Sequence, residues 1–320
     1  QAAGIRSKKP PERLVRATTE TGDPIPESHV FIRGDHEQPG AEVKPAGLTV
    51  VSLNTRLPEI PVEDSSRKTS GRRLALAVRL TDPQHPLLAR VLVNRIWMHH
   101  FGRGLVATPA DFGVLGARPT HPLLLDWLAA ELIESGWSVK HLHRLIMSSQ
   151  TYGQSSRWSN AGGPSPFQPG THPAIVDADC KLLWRFPSRR LEAEAIRDCI
   201  LHVSGELNFA MGGPGFDFFK TRGGLSGFPP VDQFDASGLR RMIYAHKIRM
   251  EPVPIFGAFD CPDAGLPTPV RSQSTTAIQA LNLFNSPFVL EHASAFAARL
   301  AREAEDSVPD QIARAYQIAY

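Results

Sequence analysis

The sequence predicts a mainly α-helical, bundle-like domain with a small antiparallel β element near its N-terminus. Three observations carry this. Apolar residues recur at steps of three and four through 86–146, and Gly, Ser and Pro stand where helices should begin and end. Similar segments occupy 189–205, 274–284, 287–305 and 309–320. The β-rich segments 29–34 and 48–53 flank the turn signal Gln38-Pro39-Gly40, which predicts a hairpin.

Residues 1–25 are polar and carry prolines, as an extended arm does, with a helical turn expected at 12–17. Arg33-Gly34-Asp35 spells an adhesion tripeptide, but a turn after a strand accounts for it. Residues 56–71 form a Pro- and Ser-rich linker, and 72–80 a short amphipathic helix. Residues 1–71 are therefore an N-terminal arm, hairpin and linker, and 72–320 a helical domain. The next helix spans 86–101, with Leu88, Val91, Leu92, Arg95, Ile96 and His99 on its buried stripe, and Gly102 and Gly104 end it. Thr120 caps a helix that carries Pro122 in its first turn and Leu124, Leu125, Leu128, Leu132 and Ile133 inside; Gly136 terminates it. Ser138 caps a third helix, and connections this short predict that the three pack together.

After a Ser/Gly/Pro-rich loop at 153–174, residues 177–186 fit a strand or helical turn. Ser188 is expected to cap a helix burying Leu191, Ala195, Ile196, Cys199, Ile200 and Val203, with Glu192 and Glu194 near its positive end. A Gly/Pro-rich segment follows, then an alternating stretch at 240–249 that predicts a strand, and an irregular loop at 256–269. Ser274 is expected to cap the next helix, and the final helix, 309–320, stops without a cap.

Length allows a large core, and 42% hydrophobic residues argue against disorder. A net charge of +3 with scattered arginines gives no nucleic-acid footprint, and no apolar run spans a membrane. No signal peptide stands at Gln1, which by itself assigns no compartment. Cys180, Cys199 and Cys261 offer no CxxC pair for zinc and no CxxCH for haem; either one disulfide and a free thiol or three buried thiols fit.

Three groups of residues can carry chemistry. His99, His100, Asp111 and His121 are imidazole and carboxylate ligands of the zinc or iron type, although neighbouring His99 and His100 diverge on a helix. The alternative is structural, with His99 half-buried and His100 capping carbonyls. Arg95, Arg103, Arg118 and Arg144 suit sulfate or uronate oxygens, or salt bridges with Asp111, Asp126 and Glu131. Asp260 and Asp263, near Arg271, suit an acid/base pair, a calcium loop or simple loop rigidification. Gly212-Gly-Pro-Gly215 follows a helix, the wrong side for a phosphate loop.

Several phrases together resemble one family. They are Asn94-Arg-Ile-Trp-Met-His-His-Phe-Gly-Arg-Gly-Leu-Val106, Pro119-Thr-His-Pro122 with Leu125-Asp-Trp-Leu128, and Ser135-Gly-Trp-Ser138 with His143-Arg-Leu-Ile146. Arg189-Arg-Leu-Glu-Ala-Glu-Ala-Ile-Arg-Asp198, Gly212-Gly-Pro214, Phe259-Asp260 with Pro262-Asp263, and Ser274-Thr-Thr join them. The chain is similar over about 29–320 to the PSD1 domain, DUF1553, found mainly in planctomycetes and relatives. The resemblance implies an exported, periplasmic or cell-surface protein with PSCyt2-type and cytochrome c partner domains, linked to sulfated or acidic glycans. It supplies no catalytic residue, and haem c belongs to a missing domain. Three functions follow: an accessory or substrate-binding module, a metal-dependent glycan-degrading enzyme, or a non-catalytic scaffold.

Overall fold

The computed structural model describes residues 20, 24–157, 167–168, 170–221, 227–231, 233–249, 251–254, 256–262, 264–304 and 307–320. The helix expected at 12–17 lies outside them. Among the described residues the fold is mainly helical, with one two-stranded antiparallel sheet, and no helix is long and apolar enough to cross a membrane. The chain forms two compact units. The first comprises 1–107 and 112–153, the second 108–111 and 154–320.

In the first unit, β1 (Ser28–Phe31) pairs with β2 (Pro39–Val43), in the register Ser28 to Val43. The second strand thus begins inside the expected turn, and 49–52 is a 3-10 turn rather than a strand. Gly40 lets the strands meet, since a Cβ there would stand 2.8 Å from the Val30 carbonyl oxygen. Helix α1 (Arg72–Leu80) matches the expectation.

Helices α2 (Leu88–Phe101), α3 (Pro122–Glu134) and α4 (Val139–Met147) build the unit's core. The buried face of α2 is Ala89, Val93, Asn94, Ile96, Trp97 and Phe101, while Arg95 and His99 of the expected stripe are exposed. The face is rotated because its two large rings, Trp97 and Phe101, stack at 4.4 Å and need cover. His121, rather than Thr120, occupies the α3 cap position. Ser138 caps α4 as expected, its side chain accepting from the His141 N–H.

The turn after α2 is held from inside. Asn94 is fully buried; its amide donates to the Val106 carbonyl at 2.9 Å and accepts the Val106 N–H at 2.8 Å. Gly102 leaves the helix at φ 80°, where a side chain is strained. Gly104 sits against the Asn94 amide, and a Cβ there would lie 2.5 Å from the Val106 oxygen and 2.7 Å from both amide atoms. Much of the Asn94–Val106 phrase is therefore scaffold. Gly104→Ala is expected to lower unfolding free energy by about 2 kcal/mol through overpacking. A urea midpoint equal to wild type would contradict that.

The second unit holds α5 (Pro173–Val176), α6 (Ala193–Ser204), α7 (Ala277–Asn285), α8 (Pro287–Glu303) and α9 (Val308–Ala319). Helix α6 packs on α8, and α8 also meets α7 and α9. No strand forms at 177–186. The stretch at 240–249 is a 3-10 turn at Met242–Tyr244 with isolated bridges, Asn208 to Arg240 and Phe216 to Ala245. Arg240 replaces the expected ladder: its guanidinium donates to the carbonyls of Ala210, Gly212 and Pro214 and stacks 3.7 Å over the Tyr244 ring. The Gly212–Gly215 segment is thus wrapped around an arginine.

The cap of α6 is Glu192, four residues after the expected Ser188; Ile196 and Ile200 of the expected face pack against the core, but the most deeply buried residues are others. Ala193, Arg197, Leu201 and Ser204 face inward, whereas Leu191 and Cys199 are exposed. Arg197 is completely buried inside Phe216, Phe218, Phe234 and Phe288, its guanidinium carbon 5.0–5.6 Å from each ring centre. It donates to the carbonyls of Arg240, at 2.8 Å, and Gly238. All three cysteines are free thiols, Cys180 and Cys261 buried and Cys199 exposed.

Candidate functional site

The N-terminal turn of α6 forms one wall of a cleft in the second unit, where charged and polar groups stand on a largely apolar surface. Glu194 sits in that turn, where the helix end favours a carboxylate. Arg271 grips it through two nitrogens at 2.6 and 3.1 Å, and Lys247 donates at 2.8 Å. Burial works against the charge, but Arg271 and Lys247 outweigh it and hold the carboxyl down at about 2. Glu192, 3.5 Å from Arg271, adds a second acid.

The cleft in front has a volume of about 260 Å³. Arg190, Glu192, Asp260, Arg271, Ser272, Gln273, Ser274 and Gln279 line it, with Leu191, Ile196, Phe259 and Leu283 as its apolar surface. One hydrogen-bond chain runs along the wall. Asp260, at the strained φ of 59°, accepts the Ser274 N–H at 2.7 Å and the Ser274 hydroxyl at 3.0 Å. Buried Gln279 donates to Ser274 and to the Ala258 carbonyl, and its oxygen accepts from Arg190 at 2.7 Å. Thr276, not Ser274, caps α7 and completes a capping box with Gln279. Ser274 is spent on Asp260.

Arg190 differs from its neighbours. Arg271 and Lys247 are each paired with an acid, whereas Arg190 is exposed, forms no ion pair among the described residues, and gives one nitrogen to Gln279. Its other N–H groups face no protein acceptor among the described residues. The cleft therefore offers a guanidinium fork beside hydroxyl, amide and carboxylate groups, a set suited to a ligand carrying both hydroxyls and an anionic group.

Of the residues singled out in the sequence, Asp260 and Arg271 share this cleft, and Asp263 lies outside the described residues. Arg95, Arg103, Arg118 and Arg144 are exposed and form no ion pair among the described residues. The acids expected opposite them are engaged elsewhere: Asp126 accepts from Arg90 at 2.6 Å, and Glu131 meets His141 at 3.3 Å. His99 is exposed, His121 shares a hydrogen bond with Thr120, and Asp111 belongs to the second unit, in a turn with Thr108. No three described His, Cys, Asp or Glu side chains form a group able to hold a metal ion. His100 bonds instead to His143 at 2.7 Å, a pairing hidden because the two are 43 positions apart. The cysteines do not fit covalent haem, since no pair has the spacing that attachment needs.

Sequence reasoning missed Arg190, Lys247 and Gln279. Arg190 stood inside a quoted phrase, and the capping-box spacing of Thr276 and Gln279 was the one signal for the third.

The fold and cleft define a two-unit, mainly helical protein with a largely apolar cleft in its second unit that carries groups of both charges. Residues 72–320 match the model of PSD1, described as a protein of unknown function (DUF1553), and the chain belongs to that family. No curated protein and no solved structure matches the chain.

Proposed function

We propose that the chain is a substrate-binding module of an exported, cytochrome-associated protein of complex-polysaccharide metabolism, and that its second-unit cleft holds an acidic or sulfated sugar. The observation that carries this reading is Arg190, the cleft's cation without an acidic partner among the described residues. A ligand sulfate or carboxylate accepts from its free N–H groups. The ligand hydroxyls exchange hydrogen bonds with Ser272, Gln273 and Asp260, and the C–H face of the ring lies on the apolar wall. Glu194 and Gln279 position the wall without touching the ligand. Redox chemistry belongs to the PSCyt2-type and cytochrome c partner domains.

Calorimetric titration of the chain with sulfated, uronate-bearing and neutral oligosaccharides tests this. Sulfated or uronate ligands are expected to bind, and Arg190→Gln to weaken them about tenfold, the loss of one charge-assisted hydrogen bond. Equal binding of neutral sugars, or no effect of Arg190→Gln, would contradict the reading.

A further inference from the structure

Beside the cleft wall lie a thiol and an amine that sugar binding does not use. Lys247 Nζ is 3.2 Å from Cys261 Sγ, and the sulfur is 3.9 Å from the Glu194 oxygen that holds the same ammonium. Cys261 is buried, and the Lys247 side chain is 24% exposed. We propose that Lys247 and Cys261 are a redox modification site, at which one oxygen atom is inserted between Nζ and Sγ to form a covalent N–O–S crosslink.

Three features support this. The separation leaves room for one bridging atom with little movement of either segment. The pair is held in register by Glu194, which in turn is clamped by Arg271. Cys261 forms no disulfide, and the atom that faces its sulfur at 3.2 Å is the Lys247 nitrogen. Burial and Glu194 push the Cys261 thiol up; burial opposes the Lys247 ammonium, but Glu194 holds it up, so the resting pair is a thiol and an ammonium.

The oxidant is dioxygen. One ammonium, one thiol and one dioxygen give the crosslink, one water and one proton. Nitrogen and sulfur each lose two electrons. One oxygen atom takes up two of the four and enters the bridge, while the other leaves as water. The proton leaves from the partly exposed Lys247 nitrogen to solvent. The crosslink removes the Lys247 charge and ties its segment to the residue next to Asp260. The inference stands independently of the sugar-binding reading.

Peptide mass spectrometry of the full chain, held in oxygen-saturated buffer and digested with and without a thiol reductant, tests it. Cys199→Ser serves as background, to remove the exposed thiol. The expected result is a linked pair of peptides containing Lys247 and Cys261, heavier than their sum by one oxygen less two hydrogens and separated by reductant. Cys261→Ser and Lys247→Arg, confirmed as folded by circular dichroism, are expected to lose it. Recovery of Cys261 as free thiol, sulfinic or sulfonic acid with Lys247 unlinked overturns the proposal in the unmutated pair alone.

Discussion

Replacing Arg197 with alanine is expected to lower the unfolding free energy by about 4 kcal/mol, the largest single effect in the second unit. Part of the loss is packing, because the side chain fills the space between four phenylalanine rings. The rest comes from the carbonyls of Gly238 and Arg240, which lose their donor inside the core at about 1 to 3 kcal/mol each. Burial pushes the guanidinium down to about 10, so it remains a cation at neutral pH. Asp198 favours the charge, and the faces of the four rings and the two carbonyls surround it. Its Nε has no hydrogen-bond partner among the described residues. Arg197→Met keeps the volume and removes the charge, so it is expected to cost about half as much as alanine. Urea unfolding followed by circular dichroism reads both. An alanine variant within about 1 kcal/mol of wild type would show that the rings close up without the arginine.

Glu194 gives the second large effect, and it depends on pH. The folded carboxyl sits at about 2 against an ordinary 4.5, so folding favours its deprotonated form. Its stabilisation is fully present above about 4.5 and is lost as pH falls through about 2. The difference corresponds to about 3 kcal/mol, for a side chain only 21% exposed. Glu194→Gln is therefore expected to be about 3 kcal/mol less stable than wild type at neutral pH, with the gap shrinking steadily in acid. Arg271 and Lys247 are both raised by the same contact, although burial opposes each charge, so the three groups agree in direction. A gap that stays constant across that pH range would mean that Glu194 is held by shape rather than charge.

Helices α1 to α4 were legible because their apolar spacing, caps and terminators agree with one another; Ser138 and Gly136 stand where local chemistry needs them. The orientation of α2 was less legible, since Trp97 and Phe101 outweigh the smaller residues of the expected stripe. Helix α6 misled for a sharper reason. Its local pattern favours burying Leu191 and Cys199, but residues at 216, 218, 234 and 288 form an aromatic box that accepts Arg197. No local window contains that information. The alternation at 240–249 failed likewise, because Arg240 satisfies carbonyls at 210–214 in place of a strand ladder.

The cleft was half legible. Asp260 stood out in an irregular loop with Arg271 near it, while the groups that position them, Glu194 and Gln279, come from the starts of two helices. The histidines were legible only as local sequence. The expected divergence of His99 and His100 holds, with His99 exposed, but the partner of His100 is His143, 43 positions away, which no local window contains.

The central claim is that the cleft bounded by α6 and α7 is where ligand binds. Hydrogen exchange of the chain with and without a short sulfated oligosaccharide measures this most directly. The account predicts slower exchange at 190–196 and 271–279, lost in Arg190→Gln, with the first unit unchanged. Protection centred instead on Arg95, Arg103, Arg118 and Arg144 would contradict it and place the binding surface on the first unit.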